Sequence, residues 1–123
     1  MGGMGATILV VDDDDLVRDL AIGILTEQNY RVLAASNARE ALRLLDEHPE
    51  VELLFTGVVM PAMNGFTLAR KAKARRPDLK VLYASGYVSL VEASDLGACH
   101  GPLLNKPYRP KQLLAEIGRV LCR

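Results

Sequence analysis

Apolar residues in this chain fall into two alternating patterns: short continuous runs rich in β-branched residues, and longer stretches with apolar positions every three or four residues. The first run, Ala6-Thr7-Ile8-Leu9-Val10-Val11, fits a strand covered on both faces, as in a parallel sheet. It stops at Asp12-Asp13-Asp14-Asp15, after which Leu16, Val17, Leu20, Ala21, Ile24 and Leu25 form a helical stripe. Residues 30–35 read as a second strand. Asn37 and Glu40 have the spacing of a capping box, opening a helix striped by Ala38, Ala41, Leu42 and Leu45. Pro49 turns the chain into a third strand, Val51 to Thr56. A loop from Gly57 to Asn64 then leads to a helix from Gly65 to about Arg75, stopped before Pro77. Leu79 to Ala84 predict a fourth strand, Ser89 with Glu92 the start of a weaker helix, and Leu103-Leu104 a brief fifth strand. Leu113, Leu114, Ile117, Val120 and Leu121 share one face of a last helix.

Strand and helix units of this length imply a parallel sheet covered on both faces, with right-handed crossovers. The expected fold is a single doubly wound α/β domain over 6–123. Residues 1–5 are expected to be a disordered lead-in or cloning remnant, with Met4 as the natural start. The length of 123 residues suits one domain and excludes two.

Fifteen acidic residues balance fifteen basic ones, which argues against a protein that grips nucleic acid or anionic membrane electrostatically. The basic segment Arg70, Lys71, Lys73, Arg75 and Arg76 has no aromatic interleaving and reads as the solvated face of a helix. No apolar run approaches the ~20 residues of a membrane-spanning helix. The start lacks a signal peptide, and Ala6 stands where a myristoylation motif needs Ser or Thr. Cys99 and Cys122 read as structural or incidental thiols of a reducing compartment, and the expected location is cytoplasmic. His48 and His100 show no ligand spacing.

In a doubly wound sheet the functional crevice lies at the carboxyl ends of the strands, near the switch in strand order. The residues after the expected strands are Asp12 to Asp15, Thr56-Gly57, Ser85-Gly86 and Asn105-Lys106-Pro107. Carboxylates, a hydroxyl and a lysine therefore converge on one rim. Hard oxygen ligands suit Mg²⁺, and a hydroxyl beside an ammonium suits the oxygens of a phosphoryl group.

At these residues the chain resembles the receiver domain of two-component response regulators (CheY-like). The resemblance runs from Thr7 to Leu121 and is carried by Ile8-Leu9-Val10-Val11-Asp12-Asp13, Met60-Pro61-Ala62-Met63-Asn64-Gly65, Ser85-Gly86-Tyr87 and Lys106-Pro107-Tyr108. It implies a flavodoxin-like sheet of five strands in the order 2-1-3-4-5 and a role in phosphorelay signalling. By resemblance, Asp12 and Asp13 with the backbone carbonyl of Val59 hold Mg²⁺. Ser85 is the switch hydroxyl, Lys106 pairs with the phosphoryl group, and the Lys106–Pro107 bond is cis. Implied partners are a histidine kinase or another signalling protein, with no direct nucleic acid and no membrane. The implied state is a monomer or weak homodimer.

One departure changes the expected function. Gly57 stands 45 residues after Asp12, at the family's acceptor-aspartate position. Glycine accepts no phosphoryl group and gives a metal no oxygen, so Mg²⁺ binding is expected to weaken. Strand alternation turns the neighbouring Thr56 to the opposite face. Leu103 also replaces the aromatic switch residue of many receivers. The expectation is a non-enzymatic, phosphorylation-independent interaction module. The alternative is an ordinary receiver, from a hybrid histidine kinase or elsewhere, whose acceptor has been replaced by Gly57. A more remote alternative is a haloacid-dehalogenase-type phosphatase with Asp12 as nucleophile and Asp14 as general acid.

Overall fold

The computed structural model of the protein describes residues 5–60, 62–85 and 102–122. Its strands are β1 (Thr7–Val11), β2 (Arg31–Ala35), β3 (Val51–Gly57), β4 (Lys80–Ser85) and β5 (Leu103–Asn105). The helices among the described residues are α1 (Asp15–Glu27), α2 (Ala38–Glu47), α3 (Gly65–Arg75) and α4 (Pro110–Leu121). All strand pairs are parallel, and the spatial order is β2-β1-β3-β4-β5. This is the expected doubly wound, flavodoxin-like arrangement. The helix expected after Ser89 and the lead-in through residue 4 lie outside the described residues, and Gly5 sits in an exposed turn.

Three strands run one residue further than the apolar pattern implies, to Gly57, to Ser85 and to Asn105. The ladder carries them on, because Gly57 registers with Ala84 and Ser85 with Asn105. Backbone pairing rather than hydrophobicity sets these ends.

Helices α1, α2 and α3 each start on a side chain that accepts an otherwise orphaned N–H. Asp14 Oδ1 accepts from Leu16 and Val17, and Asn64 Oδ1 accepts from Thr67. Asn37 Oδ1 accepts from Glu40 N–H at 2.8 Å, the forward half of the expected box. The return half is displaced by one residue: Glu40 Oε1 accepts from Ser36 N–H at 2.8 Å. At α4, Pro110 occupies the first turn, where a missing N–H costs nothing, and Gln112 Oε1 accepts from Arg109 N–H.

The continuous apolar strands bury both faces. On one face Leu9, Val11, Leu54 and Tyr83 pack with Ala41 and Leu45 of α2 and with Phe66, Leu68 and Ala72 of α3. Phe66 and Tyr83 meet with ring centroids 4.8 Å apart. On the other face Ile8, Val10, Phe55 and Leu82 pack with Ala21 and Leu25 of α1 and with Leu113, Ile117 and Val120 of α4. The basic run on α3 is largely tied into this frame. Arg75 pairs with Asp46 at 2.7 Å, Lys73 Nζ donates to the Leu79 carbonyl, and Arg76 donates to the carbonyls of Pro49 and Val51.

From β1 the chain steps outward to β2, then crosses back over β1 to β3. The strand order therefore reverses between β1 and β3. Side chains just beyond Val11 and Thr56, which register with one another, stand at that crevice.

Candidate functional site

Sheet register assembles the site. Asp12 follows the last residue of β1, and Gly57 follows Thr56, the partner of Val11. Ser85 lies one residue beyond Ala84, the partner of Gly57, and Lys106 one beyond Asn105, the partner of Ser85. Lys106 N–H donates to the Ser85 carbonyl at 2.9 Å, closing the β4–β5 end of the rim. Among the sequence-derived residues, Asp12, Gly57, Ser85 and Lys106 thus occupy adjacent strand ends. Asp12 and Ser85 are each 5% exposed.

Asp12 is the centre of the pocket. Its Oδ2 lies 2.9 Å from Lys106 Nζ, and its Oδ1 accepts from Asp14 N–H at 2.9 Å. Gly57 faces the same carboxylate, since a Cβ built on it would lie 3.4 Å from Asp12 Oδ2 and 3.6 Å from its Cγ. Those are ordinary van der Waals separations, so the position is directed at Asp12 and has room for a first side-chain atom. Thr56 is buried and its hydroxyl donates to the Gly57 carbonyl at 2.8 Å. That hydroxyl is committed to backbone.

The other aspartates divide as the helix dipole favours. Asp14 caps α1 and Asp15 lies in its first turn, while Asp13 is exposed. Capping occupies the carboxylate that the phosphatase alternative requires as a general acid. Val59, two residues past Gly57, has an exposed side chain, and the Lys106–Pro107 bond is cis as expected.

Two neighbours of Asp12, Arg18 and Tyr108, were given no role by the sequence reasoning. Arg18 donates to the Asp12 carbonyl at 2.8 Å and to Asp15 Oδ1 at 2.6 Å, fastening α1 to the end of β1. The acid–base spacing of Asp15 and Arg18 on one helix face was the available signal. Tyr108 packs edge-on against Phe55, with centroids 6.0 Å apart. Burial, and then the negative charge of Asp12, push its phenol up to about 12.

An Mg²⁺ ion is implied by the resemblance, and the donors here are a poor match for it. One oxygen of Asp12 faces an ammonium, Asp13 is at the surface, and Gly57 contributes no oxygen. Among the described residues no group of three His, Cys, Asp or Glu side chains converges to hold a metal.

Beside the pocket, α1 and the β5–α4 loop enclose a groove of about 440 Å³ lined by Val17, Leu20, Ile24, Pro107, Tyr108 and Pro110, with Lys106 at one end. Leu20, on its α1 side, is 59% exposed.

Residues 8–118 match the response regulator receiver domain family. The chain belongs to that family. This receiver domain is 34% identical to the response regulator receiver protein CpdR of Brucella abortus over 93% of its own length and 95% of that protein. It is 36% identical to a segment of the sensor kinase CckA of the same organism, covering 94% of this chain and only 12% of the kinase. The Vibrio cholerae chemotaxis protein CheY4 superposes with a TM-score of 0.85 at 27% identity, over 94% of this chain and 98% of that one. The protein is therefore a receiver domain of two-component signalling, a class that interacts with histidine kinases and other signalling proteins.

Proposed function

We propose that this receiver domain signals through protein contact alone, without being phosphorylated. The observation that carries this reading is Gly57, which ends β3 with its α-carbon directed at the Asp12 carboxylate and offers no atom to accept a phosphoryl group. Asp12 stays paired with Lys106, and Thr56 is bound to backbone. Neither is arranged as a substitute acceptor. Ser85 and Lys106 keep the switch and phosphate-pocket positions. Asp13 and the Val59 carbonyl remain as weak donors for Mg²⁺.

The contact surface in this proposal is the groove between α1 and the β5–α4 loop, and its occupant is an amphipathic helix of a sensor kinase. Val17, Leu20 and Ile24 on one wall and Pro107 and Tyr108 on the other supply an apolar trough. Exposed acidic residues Asp13, Asp14, Asp15 and Asp19 gather at the start of α1, and the exposed Arg109 and Lys111 at the start of α4. A helix with one basic and one acidic edge complements that arrangement. The module works in the cytoplasm as a monomer or weak homodimer, catalyses nothing and touches no nucleic acid. No helix among the described residues is long and apolar enough to cross a membrane.

The retained placement of Asp12, Ser85 and Lys106 favours a second reading, an ordinary receiver whose acceptor has been replaced. Acetyl phosphate with Mg²⁺, followed by intact mass, separates the readings. No phosphoryl adduct is expected on this chain. An adduct on the unaltered protein overturns phosphorylation independence. An adduct on Gly57→Asp supports a pocket that lost only its acceptor.

A further inference from the structure

We infer that Lys106 is the built-in cation of this pocket and fills, beside Asp12, the electrostatic role a divalent metal would otherwise have. A carboxylate as buried as Asp12 is costly unless its charge is matched and its oxygens are bonded. Here both conditions are met from within the chain: Lys106 Nζ lies 2.9 Å from Oδ2 and Asp14 N–H donates to Oδ1. The other nearby cation, Arg18, is spent on the Asp12 carbonyl and on Asp15. Among the described residues, the site therefore sets one buried carboxylate against one part-exposed ammonium.

Glycine at position 57 makes this balance possible. A carboxylate there would begin 3.4 Å from Asp12 Oδ2 and set two buried negative charges against one lysine, an excess that draws in a divalent ion. Without it, the only uncompensated carboxylate at the rim among the described residues is the exposed Asp13. Mg²⁺ sheds its water reluctantly and is held poorly by a single solvated carboxylate. Mg²⁺ consequently adds nothing to the stability of the fold. This inference concerns the ion alone and holds whether or not the kinase-helix proposal does.

Thermal unfolding of the whole chain in MgCl₂, against NaCl of matched ionic strength, tests it on three proteins. The unaltered chain should show the same midpoint in both salts. Gly57→Asp adds an anion and Lys106→Met removes the cation, so each should gain a rise of ~2–5 °C in MgCl₂. A magnesium-specific rise in the unaltered chain overturns the inference, as does indifference to Mg²⁺ in both variants. Because Lys106→Met leaves Asp12 buried and unpaired, Mn²⁺ binding to Gly57→Asp by water-proton relaxation provides a readout independent of that variant's folding. Equal Mn²⁺ affinity in the unaltered chain and Gly57→Asp also overturns it.

Discussion

The α-carbon of Gly65 lies against the carbonyl group of Gly57 with no space for a side chain between them. A Cβ on Gly65 would overlap the Gly57 oxygen and come within 3.0 Å of its carbonyl carbon, while Gly65 N–H donates to the Val58 carbonyl at 2.8 Å. The first turn of α3 is thus pressed onto the end of β3, and the two glycines serve opposite purposes. One must be glycine to let backbones meet; the other has room for more.

That difference predicts opposite signs. Gly65→Ala should lower stability by at least ~2 kcal/mol, since only backbone movement relieves the overlap. Gly57→Ala should be neutral or stabilising by ~0.5 kcal/mol, because its Cβ meets only ordinary contacts and stiffens a strand. Urea unfolding of both variants decides the matter, and a Gly65→Ala protein as stable as the parent refutes the close approach.

Tyr108 predicts an alkaline limit. Its phenol is raised from 10.0 to about 12, first by burial and then by Asp12. Between these values the folded state retains a proton that the unfolded chain has released, so stability present below pH 10 is lost as pH rises toward 12. Tyr108→Phe should flatten that decline, measured by urea midpoints from pH 9 to about pH 12. An unchanged slope would remove Tyr108 as its source.

Arg18 predicts a distinction between charge and shape. Its guanidinium bonds the Asp12 carbonyl and Asp15 together, which an ammonium on a shorter stem reproduces poorly. Arg18→Lys should cost ~1 kcal/mol. The loss should persist in high salt, where an exposed ion pair would already be screened.

The α1 wall of the groove predicts a separation of binding from folding. Leu20 is 59% exposed, so Leu20→Glu should change stability by less than ~0.5 kcal/mol. The same substitution should weaken binding of the sensor kinase's amphipathic helix at least ~10-fold, read by titration calorimetry. Leu25, five residues on and fully buried, should instead cost ~3 kcal/mol as Leu25→Ala.

Much of this molecule could be read before its structure. Strands covered on both faces are continuous apolar runs, so β1 and β3 announced themselves, and Asp12 and Gly57 followed from where those runs stopped. Helix starts were legible at Asn37 because capping is a local event. Long-range bonds left no such mark. Nothing near Arg76 shows that its guanidinium reaches the carbonyls of Pro49 and Val51, which converts part of a basic run into structural ties. Nor does the spacing of Lys106 reveal that it meets Asp12 across 94 positions. That depends on β5 reaching the far edge of a sheet whose order reverses midway.

The span of that last contact has a consequence for how the chain comes to be made. Synthesis proceeds from the amino end, so β1 and its buried carboxylate exist long before the lysine that neutralises it. Through the emergence of β2, β3 and β4, Asp12 has no ammonium to pair with, and a closed sheet around it would enclose a lone negative charge. Only when β5 and the residues just beyond it have left the ribosome does that obstacle lift. The charge balance of the pocket is thus complete only when residues 94 positions apart are both in place.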